Sequence, residues 1–79
     1  MIMKEEEIKD YLISENVEFR RLCEQHRLCE GKLNELNRHH MTEHDHLAEI
    51  QLKKRKLQLK DQMNSIVSRF RTELSHQHT

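Results

Sequence analysis

The chain reads as an all-α protein: an antiparallel, coiled-coil-like helical hairpin with a short N-terminal helical segment, two copies of which pair into a helical bundle. Three observations predict this. Between Phe19 and His40 the seam positions step by alternating threes and fours through Leu22, His26, Cys29, Leu33 and Leu36, the spacing of a helix face that lies against another helix. No Pro and a single Gly occur in 79 residues, so little interrupts long helices. With 35% charged and 4% aromatic residues the chain is poorly supplied for a globular core, yet its apolar residues keep to stripes that a disordered tail has no reason to maintain.

One domain, residues 1–79, accounts for the whole pattern. Residues 4–13 form the N-terminal segment, with Glu5, Glu6 and Glu7 at the positive end of its helix dipole. Ser14 or Asn16 supplies the N-cap of the first main helix, which spans 17–38. Gly31 lies inside that helix, at a cost of ~1 kcal/mol relative to Ala, and marks either a close backbone approach or a soft spot. Continuing the first seam in phase would put Lys54 and Asp61 on it, so the phase breaks, and the break falls in Asn37 to His44. A turn at 38–43 follows. Thr42, with Asp45 three positions on, resembles a capping box and opens the second helix, 43–75.

The stripe of that second helix is Leu52, Leu59, Met63, Ile66 and Phe70, with the stem of Lys56 covering the gap. Counting outward from the turn pairs Leu36 with Leu47, Leu33 with Ile50 or Leu52, His26 with Leu57 or Leu59, and Phe19 with Met63 or Ile66. The second helix is the longer arm, and Ile8, Tyr11 and Leu12 cover its last turns. Ile50 and Leu57 lie roughly opposite Leu59 at 100° per residue, and Leu28 is turned away from the first seam. These three are the expected interaction residues of a second interface. A lone hairpin of this size is marginal, so a second copy is the expected partner, with another helical protein as a further one.

Each group of chemistry-bearing residues also has a plainer role. His40 and His44 would share one face of a helix turn, with Glu43 and Asp45 to complete a metal shell, and a metal-binding hairpin is one alternative function. The spacing is no recognised zinc signature, and a turn through the segment removes the shared face, so a solvated tip is preferred and no cofactor is expected. Cys23, His26 and Cys29 step by threes, but one helix offers a tetrahedral ion only two ligands at a time, and small core thiols with a core histidine explain them. The thiols are too far apart along a helix for a disulfide. His26 on the seam is expected to be neutral and without an acid partner.

The basic run Lys53 to Lys56, with Lys60 beyond it, is the basis of a second alternative, weak nucleic-acid binding. Four consecutive bases point all around a helix, no aromatic residue interleaves with them, and Glu24, Glu30 and Glu35 are the expected partners across the hairpin. Nucleic acid is therefore not an expected partner. Fourteen acids balance fourteen bases, so no net field favours polyanions or anionic lipid. Met1 to Glu7 places acids where a secretory signal needs bases, and no apolar run nears the ~18 residues of a membrane span, which predicts a soluble cytoplasmic protein with no membrane partner. Gly-rich phosphate loops, nucleophile elbows and enclosed acid pairs are all missing, so no enzyme is expected.

Glu15-Asn16-x-x-Phe19-x-x-Leu22 with His26 four residues on, and above all Leu52-Lys53-Lys54-Arg55-Lys56-Leu57-Gln58-Leu59-Lys60-Asp61-Gln62-Met63, resemble the YdcH-like family of short bacterial proteins of unassigned function. The resemblance covers about residues 15–70, and the second block is the specific one. It implies a helical hairpin, a bacterial cytoplasmic setting and no known activity, and it carries over no functional residues. The chain departs from the family pattern at Val17, where a helix-starting proline is common, and in its histidine-rich tip.

Overall fold

A computed structural model of the chain describes residues 3–77. Those residues form three helices, α1 (Glu5–Glu15), α2 (Val17–Leu36) and α3 (Glu43–Gln77), and no strand. Helices α2 and α3 pack antiparallel along a rod of 56 × 19 × 17 Å, with α1 folded against the open end of the hairpin. The expected all-α hairpin is the fold observed.

The breaks between helices are set by local chemistry. At the start of α1 the Glu7 carboxylate accepts from the Lys4 backbone N–H at 3.3 Å. Asn16 is extended, at φ −122° and ψ 108°, and its Oδ1 accepts from the Phe19 N–H at 2.9 Å. A side-chain oxygen thereby satisfies one of the donors that a helix start leaves free. Asn16 rather than Ser14 is thus the cap, and α1 extends through Ser14 to Glu15, beyond the 4–13 read from the sequence. At the far end α2 stops at Leu36, where the Arg38 N–H reaches back only three residues to the Glu35 carbonyl, at 3.2 Å. Thr42 and Asp45 then start α3 reciprocally. The Thr42 N–H donates to the Asp45 carboxylate at 3.1 Å, and the Asp45 N–H donates to Thr42 Oγ1 at 3.2 Å.

Three side chains are almost wholly enclosed, one from each helix: Ile8, Phe19 and Leu59. Around them Leu12, Leu22, Cys29, Ile66 and Val67 complete the buried cluster, with Met3, Cys23, Leu52, Met63 and Phe70 packed against it. Leu33 is buried nearer the tip. Tyr11 stacks on Phe70 with ring centroids 5.2 Å apart, so α1 covers the last turns of the long helix. A cation completes the α1–α2 corner. Arg20 donates from Nε to the Ile13 carbonyl at 2.9 Å and from Nη2 to the Ser14 carbonyl at 3.3 Å, satisfying acceptors that the end of α1 leaves open.

The seam differs from the sequence reading in two places, the partner of Leu36 and the burial of Val67, and it decides between the pairings left open. Leu36 shares a shallow groove with Ala48 and Leu52, whereas Leu47 is 64% exposed and does not pair with it. Ile50 and Leu57 are likewise exposed, so of the alternatives offered to Leu33 and His26 only Leu52 and Leu59 lie on the packed face. The cause is phase. Ala48, Leu52, Lys56 and Leu59 form one stripe, and Leu47, Ile50 and Leu57 fall far around the helix from it. Val67, absent from the stripe as read, is buried within the cluster that α1 completes.

Gly31 has a plain explanation. A Cβ built there meets nothing within 4 Å, so no neighbouring backbone requires the glycine, and the soft-spot alternative remains. Gly31→Ala should stabilise the fold by about 0.5–1 kcal/mol, because Ala restricts the unfolded chain and fits an exposed helix interior without strain. Urea unfolding monitored by circular dichroism measures this, and a variant no more stable than the parent would contradict it.

Candidate functional site

Polar chemistry inside the hairpin gathers at one point. His26 sits on the α2 seam with one fifth of its side chain exposed, and its Nδ1 lies 3.4 Å from Glu30 Oε1, one turn further along α2. The same oxygen lies 3.4 Å from Lys56 Nζ on α3. Glu30 therefore joins a seam histidine to the lysine that fills the gap in the facing stripe. This corrects the expectation that His26 lacks an acid partner. The partner escaped the sequence reading because it comes from the same helix at i+4, where an acid reads as a solvated flank. His26 Nε2 is buried and has no hydrogen-bond partner. A proton held on Nδ1, facing the carboxylate, leaves only a lone pair unsatisfied there, a smaller loss than an unpaired N–H.

The basic run is distributed around α3. Lys53 Nζ lies 3.8 Å from Glu49 on its own helix, Arg55 donates to Gln25 Oε1 at 3.2 Å, and Lys56 takes Glu30. Lys54 points outward with no partner among the described residues. Of the three acids expected opposite this run, Glu24 and Glu35 make no ion pair with it. Consecutive helical positions diverge by 100°, so the bases have no common direction in which to track a phosphate backbone.

At the tip, His40 precedes α3 and lies outside the helix that carries His44, so the shared i,i+4 face of the metal alternative does not form. Among the described residues no group of three or more His, Cys, Asp or Glu is placed to hold a metal ion. His39 instead approaches Asp45, Nδ1 to Oδ2 at 4.0 Å. The hydrogen bond from the Thr42 backbone N–H holds the Asp45 carboxyl below the usual carboxylate range, with the Thr42 side chain, His39 and His44 adding to the effect. Both thiols are free. Cys29 is buried, and burial pushes the half-buried Cys23 thiol up against the opposing pull of Lys9, which disfavours the nucleophilic thiolate.

What the fold leaves uncovered lies on its outer faces. Leu28, Leu47, Ile50 and Leu57 are 60–64% exposed. On α3, Leu47, Ile50, Lys54, Leu57, Asp61 and Asn64 follow one another by threes and fours, a second seam-like stripe on the side away from α2. Leu47, exposed rather than on the seam, lengthens this stripe. Leu28 stands on the outer edge of α2, roughly 130° around from its seam, and the α3 stripe is turned roughly 170° from its own packed face. They therefore occupy opposite edges of the two-helix layer, and Leu28 does not extend the α3 stripe.

The family of proteins of unknown function DUF465 matches residues 19–67, well over half of the chain, from the most deeply buried ring of α2 to Val67 of α3. The chain belongs to that family. It is the same YdcH-like family whose motifs the sequence carries. Within DUF465 the matched span is the hairpin proper, and α1, which buries Ile8 and Leu12 against it, lies outside the match. No curated protein and no solved structure matches the chain. No helix among the described residues is long and apolar enough to cross a membrane.

The cap gives this site a pH dependence. Because the folded-state value of Asp45 is depressed, its contribution is fully present above the ordinary aspartate value near ~3.9 and is lost as pH falls through the lower folded value. Asp45→Asn should therefore be less stable than the parent at neutral pH, with the two converging at an acid pH below the depressed folded-state value. Denaturant unfolding at the two pH values tests this, and a stability gap that does not change with pH would remove the carboxylate from the cap.

Proposed function

We propose that this protein is non-catalytic and acts through protein–protein association: a helical hairpin that pairs with a second copy of itself and presents its outer face to other helices. One observation carries the reading. Leu47, Ile50 and Leu57, all large aliphatic residues, stand exposed at helical spacing on one face of α3, off the face that packs on α2. Scattered exposed apolar residues need no explanation, but aliphatic residues that recur along one helix face suit a surface that another helix covers. Two further features support it. The chain's acids and bases balance, so association is not opposed by net charge, and the grooves on its surface are open and shallow, unlike sites that exclude water for chemistry. A bacterial, cytoplasmic setting accords with the family resemblance and with the two free thiols.

The substitution Ile50→Glu combined with Leu57→Glu should shift the protein toward monomer while leaving helicity unchanged, since both side chains lie off the packed face. Sedimentation equilibrium across a concentration series, with circular dichroism as the folding control, reads both quantities. A parent protein that stays monomeric at high micromolar concentration would refute self-association.

A further inference from the structure

The polar members of the α3 stripe identify how a second copy is seated. Between Ile50 and Asn64 the stripe reads Ile50, Lys54, Leu57, Asp61, Asn64, so a base and an acid flank Leu57 at nearly equal distances along the helix. Lys54 and Asp61 are exposed and pair with nothing among the described residues, unlike Lys53 and Lys56 on either side of the first. Laid parallel against itself, the stripe would stack Lys54 on Lys54 and Asp61 on Asp61. Laid antiparallel about a two-fold axis near Leu57, it brings each Lys54 toward the other copy's Asp61, packs the two Leu57 side chains together, and sets Ile50 beside Asn64. An interface about a two-fold axis has to be complementary to itself, and this stripe is self-complementary in one direction only.

We propose that α3 pairs antiparallel with α3 of a second copy through this stripe, with reciprocal Lys54–Asp61 contacts fixing direction and register; the proposal rests on the self-association reading above and specifies its geometry. The apolar area is small. Three aliphatic side chains cover well under the ~800 Å² per partner of a standard interface, so the assembly is weak and dependent on concentration, and direction is set by charge rather than by close packing.

Charge reversal separates this geometry from any other mode of association. Lys54→Asp alone, and Asp61→Lys alone, each place like charges opposite one another and should weaken association several-fold. The double variant K54D/D61K restores the reciprocal pairs and should recover the parent affinity, at low salt most clearly. Sedimentation equilibrium at low and high salt, with circular dichroism to verify folding, supplies the readout. Association that is unchanged by the single reversals, or not recovered in the double variant, would overturn the antiparallel α3 pairing while leaving self-association standing. A monomeric parent would overturn both.

Discussion

The meeting of Ile8, Phe19 and Leu59 is the contact on which the rest of the structure depends, because each comes from a different helix and none of the three helices is secure without the others. At 11 residues α1 is below the length at which an isolated helix persists in water, so its helicity follows from burying Ile8 and Leu12. Without α1, the face of α3 that carries Ile66, Val67 and Phe70 would be only partly covered, since α2 begins at Val17 and α3 extends well past it. The Asn16 cap and the two Arg20 hydrogen bonds to α1 carbonyls are the corner pieces that let α1 turn back onto the pair. Burial is graded in consequence. The open end has three helices around an enclosed core, whereas the tip has two, with Leu33 buried and Leu36 half-buried.

Polar residues within the seam do a different job from the apolar ones. Leucines alone tolerate a one-heptad slip, because a slipped stripe still meets a stripe. Glu30, held between His26 and Lys56, does not tolerate it, since a slip would carry the α3 lysine away from the carboxylate that α2 holds beside its own imidazole. Glu30 is nearly half exposed, so the pairing adds little stability, and its value lies in fixing register, the use for which polar seam positions are best attested.

How much of this was legible depends on which interactions are local. The α2 seam could be read directly, because threes and fours along one helix depend on that helix alone, and Phe19, Leu22, Cys29 and Leu33 are buried. The capping pair Thr42 and Asp45 was legible for the same reason: its two hydrogen bonds span three residues. Cross-hairpin pairing was less so. It requires the number of residues in the turn, and a miscount of one or two moves the partner of Leu36 from Ala48 to Leu47, which sends a leucine from the seam to the surface. Val67 was missed because the pattern sought was that of two helices, and in the cluster that α1 completes a residue off the two-helix stripe is buried as well. Arg20 gave no sequence signal, since its acceptors are backbone carbonyls six and seven residues back across a corner.

The same one-residue difference in phase defines the candidate surface. Ile50 and Leu57 are legible in the sequence as a second interface, but with Leu47 on the seam they are two positions seven residues apart. With Leu47 exposed, the spacing closes into a continuous stripe whose intervening positions are Lys54 and Asp61. The family's most specific motif, Leu52 to Met63, runs through both faces of this segment at once, since Leu52, Lys56, Leu59 and Met63 turn toward the hairpin while Lys54, Leu57 and Asp61 turn away. Packing within one hairpin accounts for the first set. It places no demand on the second, because Lys54, Leu57 and Asp61 are exposed and lie off the packed face.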